Sequence, residues 1–207
     1  MKRLSTFLAL GVLCFCPSVS ARAADSILNF DDLTGFIPAT YGSAMTNTPN
    51  IGITYRSTGP IVRNILNLSV SDYGDLVNVA QPVSEFDRGE IRFTPSNGVA
   101  ITLTGFDMAG WPQADYAADV IQVVDANNAV LWTAPDLTVL GAGPTHSAFS
   151  VNVTSAIPIY LRFGDTYNIG IDNIRFSQGP VSAPEPGTLA LLALGVPCCF
   201  FRKNLRR

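Results

Sequence analysis

Val99-Ala100-Ile101-Thr102-Leu103-Thr104-Gly105-Phe106 places apolar side chains at 99, 101 and 103 and threonines at 102 and 104. Alternation with a period of two turns one face of an extended chain to a core and the other to water. Outward from this stretch, short runs rich in β-branched and aromatic residues recur between turn residues. They fall near 27–30, 51–55, 76–79, 90–93, 120–124, 130–133, 148–153, 157–163 and 169–176. None carries a helical period. The pattern predicts an all-β sandwich rather than alternating β and α units. Asp125-Ala126-Asn127-Asn128, set between two apolar runs, supplies residues that tolerate positive φ and is the clearest hairpin.

The two ends read differently. Met1, Lys2 and Arg3 precede an almost unbroken apolar run over 7–16, and small residues follow through Ala21-Arg22-Ala23. That order predicts a secretory signal peptide over residues 1–23, with cleavage after Ala23 and with Ala21 and Ala24 as alternatives. Leu13 before Cys14 and Phe15 before Cys16 are too large for a lipobox, so no lipid anchor is expected. At the far end Pro184-Glu185-Pro186 is followed by an uncharged stretch over 187–201, then by Arg202, Lys203, Arg206 and Arg207. As a helix those fifteen residues would reach roughly 22 Å, short of the roughly 30 Å hydrocarbon core of a bilayer. A short hydrophobic helix of this kind suits transient better than permanent anchorage, although a single-pass tail anchor remains the alternative. The basic residues act as a membrane stop and favour the cytoplasmic side, leaving the body outside.

Between the ends, all sixteen acidic residues lie from Asp25 to Glu185 against six arginines and no lysine, a net charge of about −10. Such a body has no overall electrostatic footprint for nucleic acid or anionic lipid. All four cysteines, Cys14, Cys16, Cys198 and Cys199, belong to the terminal apolar segments, so the body has neither disulfides nor thiol chemistry. The sequence divides into a signal peptide over 1–23, one β-sandwich domain over 24–177, a linker over 178–183 rich in Gly, Pro and Ser, and a C-terminal segment over 184–207 of Pro-Glu-Pro, apolar and basic parts.

The segment from Ala183 through Pro184-Glu185-Pro186-Gly187-Thr188-Leu189 to the arginine-rich end resembles the PEP-CTERM sorting signal. Gly187 and the Cys198-Cys199 pair depart mildly from that pattern. The resemblance implies recognition, and cleavage near Pro184-Glu185-Pro186, by an exosortase of the Gram-negative inner membrane. Signal peptidase would act at the other end. It also implies residence in the cell envelope or extracellular matrix, in association with exopolysaccharide.

Asn29-Phe30-Asp31-Asp32-Leu33 and Gly170-Ile171-Asp172-Asn173-Ile174-Arg175-Phe176 resemble the first and last strands of carbohydrate-binding, galactose-binding-like jelly rolls. The resemblance implies neighbouring first and last strands that share a structural calcium ion, for which Asp31, Asp32, Asp172 and Asn173 offer oxygen ligands. Those residues could equally begin turns or cap strand ends. Trp111, with Asp115 and Tyr116 nearby, is the candidate glycan platform, open between ligand stacking and packing over one end of the sandwich. Trp132 reads as core, and Tyr41 and Tyr73 are weaker loop candidates. His146 is the single histidine, and neither G-x-S-x-G nor H-E-x-x-H occurs. The expectation is therefore a non-enzymatic surface or matrix protein. Its alternatives are a carbohydrate-binding module and, less favoured, a carboxylate-dependent polysaccharide-active enzyme.

Overall fold

The computed structural model describes residues 24–180 apart from positions 97 and 165. The segments expected to form a signal peptide and a short hydrophobic helix, the Pro184-Glu185-Pro186 motif, the basic tail and linker residues 181–183 lie outside that range. The described chain is all-β, with no helix. Its strands are β1 (Ser26–Leu28), β2 (Ile51–Thr58), β3 (Asn67–Ser69), β4 (Val79–Gln81), β5 (Arg88–Pro95), β6 (Val99–Gly110), β7 (Tyr116–Ala117), β8 (Ile121–Asp125), β9 (Val130–Thr133), β10 (Thr138–Val139), β11 (Ser147–Ser155), β12 (Ile159–Phe163) and β13 (Ile169–Pro180).

Two sheets share one core. The first orders its strands β11-β6-β13-β4-β3, with β1 also on β13, and the second runs β2-β5-β12-β8-β9. A separate ribbon joins β10 to β7. Alternation does the sorting: in β2, Ile51, Ile53, Tyr55 and Ser57 are buried while Gly52, Thr54 and Arg56 face solvent. Across the gap between sheets, the rings of Phe93 on β5 and Phe176 on β13 lie 5.2 Å apart. Trp132 is half-buried, as its apolar strand predicts, with its ring edge-on to Phe106 at 6.0 Å.

The strongly alternating runs of the sequence all become strands. β6 extends past its predicted end to Gly110 because β13 and β11 pair along it. The short elements β3, β7 and β10 have too few residues to show a period, and tertiary pairing alone makes them extended. The apolar run near 76–79 is mostly turn, with Leu76 N–H bonded to Tyr73 O at 2.9 Å and the strand beginning only at Val79. β13 continues to Pro180, where Ser177, Gln178 and Gly179 pair with Thr102, Ile101 and Ala100. Residues 178–180, assigned by composition to the linker, are therefore part of the sheet.

β13 has one break. Its buried apolar positions are Ile169 and Ile171, then Ile174 and Phe176, a change of parity that a regular strand cannot make. The register against β6 shifts between Asp172 and Arg175 and returns between Arg175 and Phe176, and Asn173 takes φ +48° there. The extra residue on β13 is a β-bulge, compensated at once by an extra residue on β6. Along the other edge of β13, β1 pairs opposite 174–176 and β4 pairs at Ile171. The bulge thus sits where β1 leaves off and β4 takes over.

Because Phe93 joins the sheets at full burial, Phe93→Ala is expected to cost about 3–5 kcal/mol in urea unfolding. A loss below about 1 kcal/mol would mean that the two sheets do not depend on this contact.

Candidate functional site

Among the described residues four carboxylates are buried: Asp87, Glu90, Asp107 and Asp172. Burying a charge without a partner is costly, so each needs an opposite charge, hydrogen bonds or a proton. Asp87 accepts from Ser57 Oγ at 2.8 Å and from Arg63 at 3.3 Å. Glu90 accepts from Arg162 Nε at 2.8 Å and has Arg56 at 3.5 Å. Asp107 takes the two-pronged guanidinium of Arg175 at 3.0 and 3.2 Å. Asp172 pairs with no arginine among the described residues. Its Oδ1 is buried with no hydrogen-bond partner.

The surroundings of Asp172 follow from the bulge. Burial raises its pKa to about 6. Backbone N–H groups of Asn173 and Phe30 oppose the rise, and repulsion from Asp31 and Asp107 adds to it. At the end of β1, Asn29 donates to Asp31 at 2.9 Å, and Asn78, entering β4, donates to Asp31 O at 3.2 Å. Tyr41 donates to Asn29 O at 2.6 Å and is bonded to Asp32. Its hydroxyl pKa is raised by burial, then by the Asp32 bond and the charges of Asp32, Asp31 and Asp172. The structure therefore gathers Asp31, Asp32, Asp172 and Asn173, with Tyr41, at the β1–β13 seam.

Asp31 and Asp32 are exposed, whereas Asp172 is buried. Among the described residues no three Asp, Glu, His or Cys side chains converge as a ready-made metal centre. A hard cation here would draw on the free Asp172 oxygen, the Asn173 side chain and backbone carbonyl oxygens as well as the outer carboxylates. An all-oxygen donor set of that kind suits calcium.

The glycan candidates divide. Trp111 is half-buried against a small cluster of Tyr73, Leu76, Val79 and Ala109, with its ring edge-on to Tyr167 at 6.0 Å. Its backbone N–H bonds to Asn168 O at 2.8 Å. Asp115 accepts from the N–H groups of Gly141 and Ala142 at 2.9 and 3.0 Å, which lower its pKa. It staples the β10–β11 connection. Tyr116 packs on the main core. The three share a neighbourhood in sequence but act on different parts of the body. Tyr73 is buried, with its hydroxyl bonded to Gln81 and to Tyr167 O.

His146 Nδ1 lies 2.8 Å from Asp75, at the surface. The neighbouring Ser147 Oγ accepts the Leu140 N–H at 2.9 Å and lies 3.4 Å from Thr138 O. Both side chains are thus engaged in holding strand ends. Sequence reading missed the pairs Asp107–Arg175 and Glu90–Arg162, and the isolation of Asp172 from any arginine. Asp107 and Asp172 are register partners, which only the pairing of β6 with β13 discloses.

Residues 182–207 match the family described as the PEP-CTERM protein-sorting motif. No curated protein matches the chain. The motif indicates an exported protein targeted to an exosortase, with transient membrane anchorage before processing. Among the described residues no helix is long and apolar enough to cross a membrane.

Asp172 gives this site a measurable signature. Its raised folded pKa means that the native state holds the proton longer than the unfolded chain. Its contribution is therefore most favourable below about pH 4 and is lost as pH rises through about 6. Without divalent cations, Asp172→Asn is expected to exceed the parent in stability by about 1–2 kcal/mol near pH 7.5 and to equal it near pH 4. Equal differences at both pH values in urea melts would show that ionising Asp172 carries no cost.

Proposed function

We propose that the protein is a non-enzymatic component of the cell surface or extracellular matrix, cut by an exosortase near Pro184-Glu185-Pro186 and held in exopolysaccharide. The observation that carries this reading is the sorting motif at 182–207, following an acidic all-β body. The engagement of His146 and Ser147 in structural bonds supports a binding rather than a catalytic role.

The body is read as a jelly roll of the carbohydrate-binding type. Adjacent β1 and β13 support that reading, as does the carboxylate group at their seam. In this reading Asp172, Asp31, Asp32 and Asn173 hold a structural calcium ion, which would neutralise the buried carboxylate that no arginine reaches. Trp111, half-exposed at the end of β6, supports the second reading of a carbohydrate-binding module. Asp115 and Tyr116 serve there as framework.

Processing is tested by mass spectrometry of both termini of the protein recovered from the cell envelope. New termini near residues 24 and 186 are expected, and Arg207 retained on the exported protein would overturn cleavage. For calcium, adding about 1 mM of the ion to chelator-stripped protein near pH 7.5 is expected to raise Tm by several degrees. Asp172→Asn should abolish most of that rise. An unchanged Tm in the parent removes calcium from the account.

A further inference from the structure

Of the six arginines in the body, four stand on the outer face of the second sheet. Strand register sets them in rows: Thr54, Arg92 and Tyr160 in one, then Arg56, Glu90, Arg162 and Gln122, then Thr58 with Arg88. Glu90 is shared by Arg56 and Arg162, and Asp119 is paired with Arg88. Four guanidinium groups against two carboxylates leave this face locally positive on a strongly acidic body.

Arg92 supplies the excess. Its guanidinium lies 5.5 Å from the centre of the Tyr160 ring, and Arg162 lies 5.7 Å from the same ring. Arg92 forms no ion pair among the described residues, and its Nε is buried with no hydrogen-bond partner. A buried donor without an acceptor weakens the free protein. It stands beside a depression of about 350 Å³ lined by Thr54, Arg56, Asn64, Glu90 and Tyr160. A second depression of about 270 Å³ adjoins it, sharing Arg56 and Glu90 and reaching Arg88 and Gln122.

We propose that this trough binds a carboxylated polysaccharide, a chain of uronic acid units, with Arg92 receiving a sugar carboxylate. A guanidinium already oriented on an aromatic ring and lacking a protein carboxylate is matched to a planar anion. Thr54, Asn64 and Gln122 offer uncharged partners for sugar hydroxyls. From Arg92 to Arg88 along β5 the trough runs roughly 13 Å, room for about two or three pyranose units. The net charge of the body disfavours a denser polyanion such as duplex nucleic acid, with one charge per about 1.7 Å, because its phosphates would meet the surrounding acidic surface. A polyuronate carries one carboxylate per sugar. The proposal rests on the exopolysaccharide reading for the sugar and on the arginines for the charge.

The test compares polygalacturonate, its fully methyl-esterified form and a neutral glucan for binding to the purified full chain. The free acid is expected to bind, and the ester and the neutral polymer to bind at least about tenfold more weakly. Arg92→Gln should lose about tenfold or more. Thr54→Glu is a second variant, exposed and opposite Arg92 in register, which gives the guanidinium a carboxylate from the protein itself. It should block binding while leaving Tm unchanged or higher. Equal binding of acid and ester, or full binding by both variants, overturns the site while the exopolysaccharide reading survives. Binding to none of the three polymers overturns the site, and absence of the protein from isolated matrix overturns the broader reading.

Discussion

A charge removed from water must meet its opposite, and in this body the opposites are scarce. Lysine is absent from it, and the few arginines must serve a large excess of carboxylates. The structure meets the constraint by register. Asp87, Glu90 and Asp107 each have an arginine from another strand or loop, so the ion pairs tie β5 to β2 and β12, and β6 to β13. These pairs contribute little net stability, since desolvation offsets much of the attraction in a buried pair. The bulk of the stabilisation comes from the shared apolar core, with Phe93, Phe106 and Phe176 at full burial.

The same constraint has two exceptions among the described residues. Asp172 is a buried carboxylate without an arginine, and Arg92 is an arginine without a carboxylate. They occupy different sheets. In the readings proposed above, one takes an added cation at the seam of β1 and β13, the other an added anion on the outer face of β5 and β12. Asp172 stands beside the irregularity in β13, and Arg92 beside a depression.

Much of the fold is legible in the sequence, because Val99 to Phe106 and the runs like it declare their faces by alternation. β3, β7 and β10 are too short for any period, and their extension comes from their neighbours. The bulge leaves a trace in the parity change from Ile171 to Ile174, but the bulge and the charges flanking it become meaningful only once β6, β1 and β4 are in place. Asp31, Asp32 and Asp172 could be singled out because the two ends of the body resemble strands that lie together. The arginine face could not be found that way. Arg56, Arg92 and Arg162 are far apart in the chain, and net charge averages their cluster away. Trp111 shows the converse limit, since an aromatic residue in a turn-rich loop reads alike whether it packs or binds.

β13 also sets the orientation of the body. It runs antiparallel to β6 from Ile169 opposite Gly110 to Pro180 opposite Val99, a span of roughly 40 Å. Ser26 lies opposite Phe176, near the Pro180 end of this strand. The chain therefore enters and leaves the described body at one pole, and the loop that begins with Trp111 lies at the other. While the C-terminal segment is held at the membrane, the entry and exit points stay on the tethered side. The Trp111 pole is then the end of the described body most distant from both attachment points, separated from them by the length of one strand.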